Sequence, residues 1–106
     1  MKYIKKFENS NDESLNYENR RLINNTGLNA DLSEVEDALE NGADINYIND
    51  LGDTALISAA YFGNYGIMWV LIDKGADWMI KDEEGYDFID YIINDNPAVL
   101  NKLKKN

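Results

Sequence analysis

The chain of 106 residues contains no histidine and no cysteine. Histidine is the side chain that titrates nearest neutral pH, so its absence excludes Ser-His and Cys-His nucleophilic pairs and histidine-ligated zinc. The absence of cysteine excludes disulfides and thiolate metal sites, and it removes the usual indicator of redox compartment. Pairs of carboxylates could in principle still carry out acid-base chemistry.

Long apolar runs are also absent. No stretch approaches the length that spans a membrane, and no apolar run follows the three lysines among the first six residues, as it would in a secretion signal. We therefore expect a soluble, cytoplasmic protein. With 44% apolar and 11% aromatic residues, the chain should fold, and its length allows one domain at most.

Positive charge is scarce in the middle of the chain. Twenty acidic side chains against ten basic ones give a net charge of −10, and between Asp31 and Asp95 sixteen acidic residues accompany only Lys74 and Lys81. Such a surface repels phosphate groups, so we expect neither direct nucleic-acid binding nor binding to anionic membranes. A protein with a basic surface is the partner that this charge favours.

Two glycine-containing motifs recur in the chain at an interval of 33 residues. Gly42–Asp44 (GAD) recurs as Gly75–Asp77, and Gly52 recurs as Gly85. The apolar spacing between these marks is helical, and glycine supplies the left-handed conformation with which helices end. The pattern predicts units of a turn and two helices, stacked at equal intervals because one helical hairpin cannot hide its apolar face alone.

Several helix boundaries can be predicted from local chemistry. Asp31 should cap one helix, with Glu34 reaching back to complete a capping box, and Thr54 should cap the next. Gly63-Asn64 should separate that helix from the following one. Pro97 fits the first turn of a last helix, where its missing amide hydrogen is harmless.

One unit carries a nearly complete family signature: Gly52–Leu56 (GDTAL), Ala59-Ala60, Gly63-Asn64 and Lys74–Asp77 (KGAD). It resembles the ankyrin repeat, the 33-residue unit of a turn and two helices. The resemblance covers roughly residues 14–104 and implies an all-α solenoid with short β-hairpin-like loops. We divide the chain into a flexible N-terminal arm (1–13) and an ankyrin repeat domain (14–106), with repeats at roughly 14–46, 47–79 and 80–106.

In this family, partners usually bind the concave side, formed by hairpin tips and the exposed face of each first helix. Transferred position by position, the resemblance implies a protein-binding set of Ile48, Asp50, Leu51, Asp53, Ile57, Tyr61, Phe62, Lys81, Glu83, Glu84 and Tyr86. Tyr61 and Phe62 could equally shield a small core. Trp78 stands where the family keeps a buried aliphatic residue, so we expect it in the core, and we expect Trp69 to pack rather than project as a second contact.

The carboxylates do not point to a metal site or an enzyme. When Gly85 in the acidic loop 82–87 is aligned with the glycine of an EF-hand loop, Ile80 and Tyr91 fall at the first and last ligand positions, so this calcium template fails. No glycine-rich phosphate loop is present. Most carboxylates fall on solvent-facing positions, where their pKa values would not separate for acid-base work. We expect no cofactor, no metal and no catalytic residue.

The leading hypothesis is a non-catalytic module that binds a basic partner protein through an acidic, aromatic concave surface. It could serve as an inhibitor, an immunity-type protein or a phage or viral effector. An acidic DNA mimic that occupies a nucleic-acid-binding protein is the alternative, and it would need carboxylates along a stripe rather than an aromatic-centred patch. A piece of a larger assembly or homodimer is a third possibility, although we favour a monomer, and an enzyme is a remote fourth.

Overall fold

The computed structural model describes residues 9–93, with side chains of the first helix described from Asn16 onward. Five helices follow one another: α1 (Asn9–Asn24), α2 (Leu32–Glu40), α3 (Ala55–Tyr61), α4 (Tyr65–Asp73) and α5 (Phe88–Ile92). No strand occurs within these residues, which confirms the all-α prediction. The predicted last helix at Pro97 lies outside the described part of the chain. Helix α1 begins at Asn9, inside the segment assigned to the arm, and the division into arm and repeats stays a prediction.

Side-chain caps start three of the helices. Asp31 Oδ1 accepts hydrogen bonds from the amides of Ser33 and Glu34, and Thr54 Oγ1 accepts one from the amide of Ile57 at 3.2 Å. These two predicted caps are confirmed. Asp87 and Asp90 form a complete capping box at the start of α5, a feature that the sequence analysis did not predict.

The predicted return contact of Glu34 is wrong. Its Oε1 instead accepts from Arg21 Nε at 2.8 Å, and Arg21 also pairs with Glu18 and with Asp37. The guanidinium thereby joins α1 to α2, and its pKa is raised by the hydrogen bonds that it donates to these carboxylates, the one to Asp37 foremost. A charged partner from another helix attracts Glu34 more strongly than the neutral amide at the cap.

The helices pack in pairs, and the first helices of successive units lie side by side. α1 packs against α2, α3 packs against α4, and α3 also contacts α1 and α5. Each pair contributes apolar side chains to one continuous core. Its largest fully buried members are Leu22, Val35, Leu56, Met68, Leu71, Phe88 and Ile92. Burial between neighbouring units is what the equal spacing predicts.

The loops between units account for the 33-residue spacing of the glycines. Asn49 Oδ1 accepts from the amides of Leu51 and Asp53, and Asp82 Oδ1, 33 residues later, accepts from those of Glu84 and Tyr86. In both loops the amide of the Asn or Asp also donates to a carbonyl four residues on. Gly52 and Gly85 follow at φ +84° and +87°, a conformation that suits glycine. The two loops are thus the same turn, built twice.

Asparagine side chains connect neighbouring units. Asn64 Nδ2 donates to the carbonyls of Thr26 and Gly27, both at 2.8 Å, and Asn46 Oδ1 accepts from the amide of Asp77 at 2.8 Å. Each bond satisfies a backbone group in a turn of the adjacent unit, where no helix or strand supplies a partner. Stacking is therefore fixed by polar contacts as well as by the core.

The two tryptophans differ in their surroundings. Trp69 is partly buried and packs against the core, as predicted. Trp78 is 39% exposed, so its assignment to the core is wrong. Its equivalent one unit earlier, Ile45, is partly buried against the core. An indole is much larger than an aliphatic side chain and is rarely buried completely.

A candidate protein-binding groove

An open groove of about 280 Å³ lies where the two loops meet the exposed side of α3 and the end of α5. The loop containing Gly52 supplies one wall, and the acidic loop after Ile80 supplies the other. The lining residues are Leu51, Asp53, Ile57, Ser58, Tyr61, Phe62, Asp82, Glu83, Glu84 and Tyr91. They come from two successive units, so the groove exists only because the units stack.

Gly52 allows the two loops to approach closely. A Cβ atom placed on it would lie 2.6 Å from Cγ of Glu83, closer than real Cβ contacts, and 3.3 Å from the Glu83 amide nitrogen, which is tighter than most. At the equivalent Gly85, a Cβ atom would meet nothing within 4 Å. The glycine at 52 therefore serves both the turn and the position of Glu83 at the groove.

A row of four aromatic rings extends along and beyond the groove. The rings of Tyr61 and Phe62 meet edge to face with centroids 5.0 Å apart, Tyr61 meets Tyr91 at 5.6 Å, and Tyr91 meets Tyr86 at 5.7 Å. Edge-to-face geometry is the favoured arrangement of aromatic pairs. Tyr61 nevertheless remains 65% exposed. The row thus offers apolar area to a partner while it is held by its own contacts.

Two of the groove's four carboxylates, Asp82 and Asp53, have pKa values that are shifted in opposite directions. The hydroxyl of Tyr91 donates to Asp82 Oδ2, and this hydrogen bond, with those from backbone amides, lowers the pKa of Asp82. The same bond raises the pKa of Tyr91. Partial burial raises the pKa of Asp53, and the negative charges of Asp82, Glu83 and Glu84 add to this. The groove therefore has an excess of negative charge that its own residues do not balance.

Among the residues that the structure describes, no lysine or arginine lines the groove. Within residues 9–93, the side chains of Asp53, Glu83 and Glu84 take part in no hydrogen bond or ion pair. Asp82, by contrast, accepts from two amides and from Tyr91. Three carboxylates are thus available to a cationic group from outside.

Seven of the eleven residues predicted to bind a partner line the groove: Leu51, Asp53, Ile57, Tyr61, Phe62, Glu83 and Glu84. Ile57 is only 3% exposed, because the first turn of α3 lies beneath the loops, so it lies at the floor of the groove instead of on an open face. Whether these residues bind a partner stays a prediction.

The other four predicted residues lie outside the lining. Ile48, Asp50 and Tyr86 are exposed, and Tyr86 connects to the groove through its contact with Tyr91. Lys81 Nζ lies 3.9 Å from Asp87 Oδ2. Sequence reasoning missed Ser58, Asp82 and Tyr91 as lining residues. Asp82 could have been found from its register with Asn49, whereas Tyr91 reaches the groove only through the packing of α5 on α3.

Between residues 9 and 93, no group of three or more acidic side chains is placed to hold a metal ion. No helix in that range is both long and apolar enough to cross a membrane.

A family model for ankyrin repeats matches residues 20–72, which is half of the chain. The chain belongs to the ankyrin repeat family. Its ankyrin repeats therefore explain the paired helices, the 33-residue register and the repeated loops. Ankyrin repeats generally act as protein-interaction modules, and the family is typically non-catalytic.

A viral protein shares part of this ankyrin sequence. An ankyrin repeat protein of Acanthamoeba polyphaga mimivirus is 43% identical over 44 residues, which cover 42% of this chain and 27% of the viral protein. The match thus spans about a quarter of that relative's length.

Proposed function

We propose that this ankyrin repeat chain binds a partner protein with a basic surface through the groove between its second and third repeats. The observation that carries the proposal is the combination, in one concave site, of exposed aromatic rings with three carboxylates that have no partner within residues 9–93. The chain is proposed to act by binding, without catalysis.

The two kinds of side chain have different tasks in such an interface. Aromatic rings bury a large apolar area with little loss of rotamer entropy, which makes them frequent anchors of binding energy. Exposed carboxylates attract an oppositely charged partner at long range and mainly increase the association rate. Tyr61, in contact with Phe62 and Tyr91, is the proposed anchor, and Asp53, Glu83 and Glu84 are the proposed steering charges.

The alternative of a DNA mimic makes a different demand on the same surface. A mimic works through carboxylates set at intervals like those of phosphates, and aromatic rings contribute nothing to that resemblance. Tyr61 lines the groove together with carboxylates from both loops. This favours a protein interface centred on the ring, so Tyr61→Ala should weaken partner binding, whereas a DNA mimic should tolerate it.

The test begins with partner capture from the organism that encodes the chain, followed by association kinetics at several salt concentrations. The triple variant D53N/E83Q/E84Q removes the free carboxylates of the groove. A matched triple variant, E36Q/E40Q/D73N, removes the same charge from α2 and α4, away from the groove. At low salt, the groove variant should associate about tenfold more slowly and with a weaker salt dependence, and the matched variant should stay close to wild type.

Equal loss of association rate in both triple variants would show that only total charge matters and would contradict a role for the groove. A partner whose surface is acidic, or whose binding is unchanged by the groove variant, would also contradict a role for the groove. Competition by duplex DNA that is unaffected by Tyr61→Ala would instead favour the DNA mimic.

A further inference from the structure

The groove's unpartnered charges have a defined arrangement. Asp53 comes from one loop, Glu83 and Glu84 come from the other, and the side chain of Glu83 lies close to Gly52, the residue before Asp53. Asp53 is also partly withdrawn from water. A cation that enters the groove would therefore meet carboxylates from both loops, with Asp53 partly buried and Glu83 and Glu84 exposed.

The size of the groove limits what can enter. A volume of about 280 Å³ is small for a folded element of a partner but sufficient for a single long side chain. One side chain projecting from a partner's surface is the occupant that this space fits.

Arginine suits the lining better than lysine does. Its guanidinium is flat, donates five hydrogen bonds in a fixed fork and stacks on aromatic rings, whereas an ammonium is a compact and strongly hydrated point charge. The lining offers carboxylates on two walls together with the rings of Tyr61, Phe62 and Tyr91. Tyr91 is itself held by its hydrogen bond to Asp82, so one ring is already fixed in place.

We propose that the groove receives one arginine side chain from the partner protein, with its guanidinium paired to Asp53 and Glu83 and lying against the aromatic rings. The proposal rests on the proposed function and names the chemical group that the partner must present. It assigns Asp53 as the carboxylate that distinguishes this site from the rest of the acidic surface.

The test uses three blocked tripeptides: acetyl-Ala-Arg-Ala-amide, its lysine analogue and its citrulline analogue, which keeps the shape of arginine without the charge. Binding is followed by the NMR shifts of the backbone amides of Asp53, Ser58 and Glu83. The arginine peptide should give saturable shifts at these amides. The citrulline peptide should bind at least about tenfold more weakly, because a hydrogen bond to a charged group contributes roughly 1.5–3 kcal/mol. The lysine peptide should bind several-fold more weakly than the arginine peptide.

Two aspartate variants provide the matched control. Asp53→Asn and Asp50→Asn make the same chemical change in the same loop, but only Asp53 lines the groove. Affinity for the arginine peptide should fall about tenfold in D53N and stay unchanged in D50N. Thermal unfolding of each variant verifies that it is folded.

Three results would overturn the inference: no saturable shifts with the arginine peptide, equal affinity for arginine and lysine peptides, or equal losses in D53N and D50N. The proposed function has a separate test. A captured basic partner that depends on the groove carboxylates, together with failure of the arginine peptide, would overturn the arginine assignment alone.

Discussion

At the scale of single residues, Asp53 and Asp82 show how one groove can hold two carboxylates in opposite states. Asp82 is stabilised as a charge by Tyr91 and by amides, so its lowered pKa corresponds to stability that is present above the unfolded pKa and lost as pH falls below it. Asp53 has burial and three negative neighbours against it and no compensating bond. Its ionised form therefore opposes folding and favours an incoming cation.

The Asp53→Asn variant should be more stable than wild type at pH 7. Because the pKa of Asp53 is raised on folding, the folded protein binds more protons than the unfolded chain between the ordinary value of 3.8 and the raised value. Stability therefore falls as pH rises through that window, and the penalty remains at neutral pH. D53N removes this penalty and should flatten that part of the pH dependence.

The measurement is urea unfolding between pH 3 and pH 8, with Asp50→Asn as the control. Asp50 lies in the same loop but outside the groove, so D50N should follow wild type. A D53N variant that is less stable than D50N at pH 7 would mean that Asp53 makes a stabilising contact. In that case, its charge would not be free to bind a partner.

At the scale of elements, the repeated loop depends on a single acceptor. Asn49 Oδ1 accepts hydrogen bonds from the amides of Leu51 and Asp53, each at 3.0 Å. In the next loop, Oδ1 of Asp82 accepts the two equivalent bonds. Two amides that would otherwise lack a partner within the turn are satisfied by one side chain. The turn therefore requires a short side chain with an oxygen at this position and accepts either amide or carboxylate.

Asn49→Ala should lower the free energy of unfolding by about 1–3 kcal/mol, because it removes two hydrogen bonds that contribute roughly 0.5–1.5 kcal/mol each. Asn49→Asp should stay within about 0.5 kcal/mol of wild type, a typical limit for surface substitutions without structural damage, since Asp82 shows that aspartate supports the same turn. Chemical denaturation gives both values. If the two variants were equally destabilised, the acceptor oxygen would not be what holds the loop.

Elements also show how far the sequence predicts the fold. The caps at Asp31 and Thr54 and the glycine turns depend on residues within four positions of each other, and all of these are found as predicted. The predicted capping contact of Glu34 was wrong because its actual partner, Arg21, is 13 residues away on another helix. Tyr91 was missed for the same reason: its place at the groove depends on how α5 packs on α3. Local chemistry is readable, whereas contacts made by packing are not.

At the scale of the whole molecule, the net charge of −10 opposes compaction. Arg21 counters it locally: its side chain is 17% exposed, and its guanidinium pairs with Glu18, Glu34 and Asp37 at 2.6–3.0 Å. These contacts link the two helices of the first repeat, at the end of the array away from the groove. Salt weakens both the long-range repulsion and this local attraction. Weakening the repulsion stabilises the fold, whereas weakening the attraction destabilises it.

Raising NaCl from about 10 mM to about 0.1 M shortens the screening length from about 30 Å to about 10 Å. Repulsion among many spread charges should weaken more than the close Arg21 pairs, so the Tm should rise by about 5 °C, the shift that roughly 1 kcal/mol produces in a domain of this size. A Tm that fell with salt would mean that ion pairing outweighs repulsion.

Two neighbouring arginines separate these effects. Arg20→Gln and Arg21→Gln each remove one positive charge, but Arg20 is exposed and Arg21 holds the three carboxylates. R21Q should have the lower Tm at every salt concentration. It should also gain more from added salt, because it lacks the ion pairs that salt weakens. Differential scanning calorimetry of both variants at matched salt gives the comparison, and identical curves would show that the three contacts of Arg21 contribute nothing beyond its charge.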